Sequence, residues 1–362
     1  LATVTEVHVS AFRVPTDAPE SDGTYEWRHT TLVVVEVLAG GATGLGYTYA
    51  DPATARVITD TLTSAVVGVD AMNVGAAWTK MVAAIRNFGR PGIASMAVSA
   101  VDVALWDLKA KLLRVSLSRL LGATRECAEV YGSGGFTSYS VETLQEQLAG
   151  WVRDGIRRVK MKVGRDASAD VGRVRAVRAA IGGDAELFVD ANGAYGRKQA
   201  LLQAARFSEE GVTWFEEPVS SDDLAGLRLI RDRAPAGMDI AAGEYGYDVH
   251  YFRRMLDAGS VDVLQADASR CGGITGFLQA DALCQSYGLR LSAHCAPSLH
   301  VDVACAARSL LHIEYFHDHR RIEHLLFDGT LSPIRGALYP DPSRLGHGIE
   351  LRRRDAEAFT VR

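Results

Sequence analysis

The chain has 362 residues, 48% of them hydrophobic and 23% charged, and a formal net charge of −5. That balance excludes a disordered or collagen-like chain, and the lack of a basic stripe argues against a partner with a phosphate backbone. No apolar run reaches the roughly 20 residues of a membrane-spanning helix, so no membrane partner is expected.

The five cysteines form no Cys-x-x-Cys pair, which argues against a disulfide framework or a structural zinc site. Reduced thiols and the lack of a signal-peptide pattern at the start point to the cytoplasm.

Residues 4–13 and 31–38 read as strands, the second an apolar, β-branched run. The glycine-rich stretch Gly40–Gly46 follows that strand, as a dinucleotide-binding loop would. It leads into Tyr47-Thr48-Tyr49 rather than a helix, so a hairpin is predicted. The polar stretch 14–30 reads as a long loop and a candidate lid. Residues 53–88 read as helical, and 95–111 as a helix apolar on most of its faces.

After Cys127 the texture changes. Eight short apolar runs recur, each closing on polar or charged residues and separated by helical stretches. Polar residues at 162, 190, 216, 244, 267, 294 and 314 close seven of them, at steps of 20 to 28 residues. That is the length of a βα unit in an eight-fold barrel of ~250 residues, whose strand C-termini form the active face.

Asp190, Glu216 and Glu244 close three successive strands. Neighbouring tips lie about 4.8 Å apart, and three converging carboxylates raise one another's pKa unless a hard cation joins them. All-oxygen ligation suits Mg²⁺ better than zinc; isolated helix caps are the bland alternative. In Lys160-Met161-Lys162, strand alternation puts both ammoniums on one face. Each then lowers the other's pKa, as a general base requires. Asp267 and His294 close adjacent strands and can form a carboxylate–imidazole pair across the ring from the lysines. Glu314 closes the eighth strand, either as a protonated donor to a substrate carboxylate or in a salt bridge to a lysine.

Together with Ala104-Leu105-Trp106-Asp107, Leu120-Leu121-Gly122, Asp190-Ala191-Asn192, Trp214-Phe215-Glu216-Glu217-Pro218, Gly243-Glu244 and Asp267-x-x-Arg270-x-Gly272-Gly273-Ile274-Thr275, these residues resemble the enolase superfamily, and within it the mandelate racemase subgroup. The resemblance spans nearly the whole chain.

It implies an α/β architecture: a modified TIM barrel, (β/α)7β, over 126–320, an α+β capping domain over 1–125 with a mobile substrate loop at 14–30, and a segment 321–362 returning to the cap. It implies Mg²⁺ on Asp190, Glu216 and Glu244, and Lys162 as a base tuned by Lys160. Lys160, Asn192 and Glu314 contact substrate, and Asp267 with His294 forms a dyad on the other face. A homo-oligomer is implied, an octamer being one form.

The implied reaction removes the proton α to a carboxylate through an enediolate. Dehydration of an acid sugar to a 2-keto-3-deoxy acid is the favoured outcome, with racemisation or epimerisation of a 2-hydroxy acid as the alternative; a cycloisomerase fits the dyad less well. Departures from the family pattern lie in the 14–30 stretch, in Cys295-Ala296-Pro297-Ser298 and in His317-Asp318-His319. Tyr245, Tyr247 and Tyr315 are expected to shape stereospecificity.

Overall fold

The computed structural model describes residues 2–361. An antiparallel sheet opens the chain: β1 (Val4–Ser21), β2 (Glu26–Ala39) and β3 (Ala42–Tyr49), in the order β1-β2-β3. Residues 32–38 of β2 are apolar apart from Glu36 because both faces of the strand are covered. Val33, Val35 and Val37 pack with Ile58, Leu62 and Leu105, while Leu32 and Val34 belong to the larger core on the other side. The helical stretch after β3 is interrupted. Ala53–Val57, a π-helical turn at Ile58–Leu62 and Thr63–Val66 precede the helix Val74–Ala84. The helix Ile93–Leu112 lies on the sheet with most of its residues buried.

The glycines of the suspected dinucleotide loop have a packing role. A Cβ on Gly44 would sit 2.1 Å from Ala104 O, and one on Gly46 would sit 2.2 Å from Ala100 O. The helix Ile93–Leu112 therefore rests directly on the backbone of β3.

The stretch expected to be a loop at 14–30 is instead strand on both sides of a short turn at 22–25. β1 and β2 stay paired from Val4↔Ala39 to Ser21↔Glu26, with a register shift between Pro15 and Glu20. Its polar side chains misled the sequence reading, because a ribbon reaching beyond the core has no apolar face to show.

Eight parallel strands follow: β4 (Ala128–Gly134), β5 (Arg158–Lys162), β6 (Glu186–Asp190), β7 (Val212–Glu216), β8 (Asp239–Ala242), β9 (Val263–Ala266), β10 (Arg290–Ala293) and β11 (Leu310–Phe316). They pair in sequence order, and β11 pairs back onto β4, closing a barrel. One helix separates each strand from the next. After β11 the helix His317–Leu326 meets the first sheet, where Tyr47 Oη donates to Glu323 at 2.7 Å and Thr30 Oγ1 bonds to Asp318.

Inside the barrel, Tyr131, Phe188, Trp214 and His312 form an aromatic plug. Phe188 and Trp214 stack at 5.2 Å, and the Tyr131 and His312 rings are 4.6 Å apart. Because strand side chains alternate, the residues two positions further on also point inward, one layer nearer the C-terminal mouth. These include Ser133, Asp190, Glu216 and Glu314. The chain end packs on the first sheet through Arg13 N–Phe359 O (2.7 Å) and Val361 N–Ala11 O (2.8 Å). Among the described residues no helix is long and apolar enough to cross a membrane, and all five cysteines are free.

The tight sheet–helix contact is testable. Gly46→Ala should destabilise the fold by about 1–3 kcal/mol through overpacking against helix backbone. Gly75→Ala, in a helix with open space around it, should be neutral or mildly stabilising. Denaturant midpoints of the two variants provide the comparison.

Candidate active site

At the C-terminal mouth the structure gathers the residues singled out in the sequence. Asp190, Glu216 and Glu244 are buried, with carboxylate oxygens lying within 4.8 Å of one another. Asp190 and Glu216 end β6 and β7 and are in register. Glu244 follows β8 by two residues, across Gly243.

The lysines of β5 reach these carboxylates. Lys160 Nζ donates to both Glu216 oxygens at 2.6 and 2.7 Å, and Lys162 Nζ donates to Asp190 at 2.5 Å. Glu244 Oε2 is buried without a hydrogen-bond partner. The three converging carboxylates, one Glu244 oxygen among them left unpaired, form an all-oxygen donor set that fits a hard divalent cation.

The expectation that the lysines depress one another's pKa is corrected here. Burial does disfavour both charges, but Glu216 and Glu314 raise Lys160, and Asp190 raises Lys162 by more than Lys160 lowers it. Both ammoniums keep their protons in this arrangement. Burial and the Asp190 charge push Glu216 up to about 8.

Glu314 also departs from expectation. It lies within β11 rather than at its end, and it is ionised. Burial opposes its charge, but Lys160 and His294 hold it well below the carboxylate range. Its Oε1 is 2.8 Å from Lys160 Nζ and accepts from Ser133 Oγ at 2.5 Å. The lysine salt bridge, not the protonated donor, is the arrangement found.

Asp267 and His294 each follow their strand by one residue, on adjacent β9 and β10. His294 Nδ1 is 2.9 Å from Asp267 Oδ2. Burial disfavours the imidazolium, but Glu244, Asp267 and Glu314 together raise its pKa. Ser269 N donates to Asp267 Oδ1 at 2.7 Å, so the carboxylate is held and Nε2 faces the barrel mouth. His300 accepts from Ala268 N through Nε2 and donates through Nδ1 to Cys295 O. This buried histidine ties together the two loops that carry the pair.

A cavity of about 680 Å³ lies above these groups, lined by Lys162, Asn192, Glu244, His294 and Glu314. Its roof is the β1–β2 ribbon, which contributes Tyr25, Trp27, Arg28 and His29. The ribbon is fastened to the loop after β4, where Thr137 N donates to Ser21 O at 2.8 Å and Ser138 Oγ to Pro19 O at 2.6 Å. At its tip Gly23 presses on the loops after β5 and β6. A Cβ there would sit 2.7 Å from Val163 O and 2.6 Å from Ala191 O.

The sequence reading gave no role to Arg270, Glu217, Cys295 or His319. Arg270 lines the cavity 3.6 Å from Glu244 Oε1 and 3.5 Å from Asp267 Oδ2. Its spacing of three from Asp267 was the available signal. Glu217 is a further buried carboxyl, held protonated by burial and by the charges of Glu244 and Asp190. Tyr245 lines the cavity and Tyr247 a neighbouring one. Tyr315, adjacent to inward-facing Glu314, points away by strand alternation.

Two family models match the chain: "Mandelate racemase / muconate lactonizing enzyme, N-terminal domain" over residues 4–122 and "Enolase C-terminal domain-like" over residues 143–356. The chain belongs to this family of enolase-superfamily enzymes. It is 33% identical to 3,6-anhydro-α-L-galactonate cycloisomerase of Streptomyces coelicolor, across 96% of this chain and 97% of that one. A mandelate racemase/muconate lactonizing enzyme-like protein from Rubrobacter xylanophilus superposes with a TM-score of 0.98 at 54% identity, covering 99% of this chain and 100% of that one. L-talarate/galactarate dehydratase from Salmonella typhimurium, solved with Mg and L-lyxarohydroxamate, superposes with a TM-score of 0.90 at 27% identity, covering 100% of this chain and 93% of that one.

The glycine at the ribbon tip should control closure. Gly23→Val puts side-chain atoms into the backbone of the loops after β5 and β6 and should lift the tip. Turnover should fall by about tenfold or more, and cleavage within 22–25 should quicken while the thermal midpoint holds. Unchanged cleavage and turnover would show that the tip contact does not matter.

Proposed function

We propose that this enzyme removes the proton α to the carboxylate of a polyhydroxy acid and most often completes the reaction by losing the β-hydroxyl as water. The observation that carries this reading is the placement of Lys162 on β5 and the Asp267–His294 pair on β9 and β10, on separate sides of one buried carboxylate cluster. Bound on Asp190, Glu216 and Glu244, Mg²⁺ would supply Lewis-acid stabilisation of a substrate carboxylate.

Lys162 holds its proton while Asp190 is its partner. With Asp190 engaged by a cation, the neighbouring Lys160 charge favours the neutral amine, which takes the α proton. Asn192, which lines the cavity, would hold the substrate carboxylate; Lys160, fully buried beside the cavity, would assist through its charge, and Glu314 pairs with Lys160. The electron pair left at the α carbon then expels the β-hydroxyl, which receives its proton from His294 Nε2. The enol product gains a proton at the β carbon to give the 2-keto-3-deoxy acid. Asp267 keeps the ring oriented and favours its charged form.

The polar roof supports an acid-sugar substrate over an aromatic one, because Arg28, His29 and Arg270 offer donors to hydroxyl or carboxylate groups. A second reading, cycloisomerisation of an anhydro sugar acid, gains support from the Streptomyces coelicolor relative. It tempers the expectation that the dyad disfavours such chemistry. Racemisation or epimerisation shares the first step but returns the proton to the α carbon from His294. A homo-oligomer in the cytoplasm is part of the same proposal.

Removing the cation with excess EDTA should abolish turnover, and Glu216→Gln should lose Mg²⁺ and activity together; full activity in EDTA would end the metal assignment. A screen of mono- and diacid sugars for 2-keto acid formation should find the substrate.

With that substrate, Lys162→Ala should abolish both turnover and solvent-deuterium exchange at the α carbon. His294→Asn should stop water loss, by about 10²–10⁴-fold, while Lys162-dependent exchange persists. A wild-type dehydration rate in His294→Asn would remove His294 as the acid. Persistent exchange in Lys162→Ala would reverse the two roles.

A further inference from the structure

We propose that His294, Cys295 and Glu314 form a second cation site, selective for a thiophilic divalent ion such as Zn²⁺ and adjoining the all-oxygen cluster at Glu244. Cys295 Sγ lies 3.3 Å from His294 Nε2 and 3.4 Å from Glu314 Oε2, and those last two atoms are 3.7 Å apart. A tetrahedral zinc, with bonds of about 2.3 Å to sulfur and about 2.0–2.1 Å to nitrogen and oxygen, separates its ligand atoms by about 3.3–3.6 Å. The three sides of this triangle thus match a zinc face to within a few tenths of an ångström, before any side chain moves.

The backbone holds the thiol in place. Cys295 and Ala296 are consecutive non-glycine residues in the left-handed region, at φ 53° and 40°. His300 Nδ1 bonds to the carbonyls of both residues, at 2.9 and 3.0 Å, and Cys295 N donates to Glu314 Oε2 at 3.1 Å. All three ligand residues are at least nine-tenths buried yet line the cavity, so a fourth position opens to solvent or substrate. Glu244 Oε2, which has no hydrogen-bond partner, is 3.5 Å from the same His294 nitrogen.

Ligand softness separates the two sites. Mg²⁺ takes oxygen donors, whereas the nitrogen–sulfur–oxygen set suits zinc, cobalt or cadmium. Binding would replace the thiol proton and the Nε2 proton of the His294 imidazolium with metal–ligand bonds and release both to solvent. The occupied nitrogen, His294 Nε2, is the one assigned above to proton transfer, so the ion should inhibit an enzyme already saturated with Mg²⁺. The inhibition rests on that assignment; the binding does not.

Co²⁺ is a spectroscopic probe of the site. Added to the protein in saturating Mg²⁺, it should give a thiolate-to-cobalt charge-transfer band in the near ultraviolet and tetrahedral visible bands. They should saturate at one Co²⁺ per chain and be displaced by Zn²⁺. Cys295→Ser should lose the charge-transfer band, and inhibition of turnover should then need about tenfold more Zn²⁺ or beyond. No band in the wild-type protein, or a band that survives in Cys295→Ser, would overturn the site. Normal bands with turnover untouched by Zn²⁺ would keep the site and overturn His294 as the proton donor.

Discussion

Charge balance in the barrel mouth is the constraint on which the rest of the site depends. Asp190, Glu216, Glu244, Asp267 and Glu314 face three permanent cations, Lys160, Lys162 and Arg270. With all five ionised and His294 neutral, the deficit would be two positive charges, in a space where taking an ion from water costs several kcal/mol even after relaxation. A protonated His294 would supply one of those charges, and Glu217, held protonated, adds no negative charge. A divalent cation bound on these carboxylates would cancel that deficit and would free Lys162 from the carboxylate that holds its proton. The same imbalance therefore links metal affinity to the basicity of the amine.

That concentration of charge is tolerable because of what lies beneath it. The aromatic plug of Tyr131, Phe188, Trp214 and His312 closes the barrel and contributes the apolar burial that the polar layer lacks. Lys160 Nζ sits 5.1 Å from the Tyr131 ring centroid, so the plug also supports a cation from below. Trp214 Nε1 donates to Glu216 Oε2 at 3.0 Å, fixing that carboxylate from the same layer. Rigid aromatics on β4, β6, β7 and β11 thereby set the positions of the polar groups two residues further along the same strands, Ser133, Asp190, Glu216 and Glu314.

Much of this was legible because parallel barrel strands announce themselves twice, by a short apolar run and by a polar residue where the run stops. Asp190, Glu216 and Lys162 obey that rule to the residue. Glu314 does not. β11 continues two residues past it because Phe316 packs against Phe136, so an inward carboxylate inside a strand looked like a strand end. The lysine pKa shifts were misjudged for a related reason. Spacing along one strand reveals Lys160 next to Lys162, but the carboxylates that outweigh their repulsion come from strands 28 and 56 residues away. The β1–β2 ribbon was hidden because its partners are polar hydroxyls and backbone carbonyls, which leave no periodic trace. Asp107, visible in the sequence only as part of a resemblance, accepts from Leu45 N and His347 N and so ties β3, the long helix and the chain end together.

The roof and the floor of the cavity follow different physical rules, and that division separates reaction from substrate choice. The floor is built from strands whose register is fixed by the closed hydrogen-bond ladder, so a carboxylate there cannot move without disturbing its neighbours. The roof is a two-stranded ribbon braced internally by a bond from Trp27 to Glu20 and held to the barrel by backbone and hydroxyl bonds to carbonyls, by polar contacts such as Thr30 to Asp318 and Asp17 to His317, and by the glycine contact at its tip. Each of those contacts is weak on the scale of the barrel, since a typical intramolecular hydrogen bond contributes only about 0.5–1.5 kcal/mol net. Side chains of the ribbon, such as Arg28 and His29, can be exchanged with little effect on the charge balance below. The proposed proton abstraction is thus assigned to the part of the fold that resists change, and the fit to a particular substrate to the part that permits it.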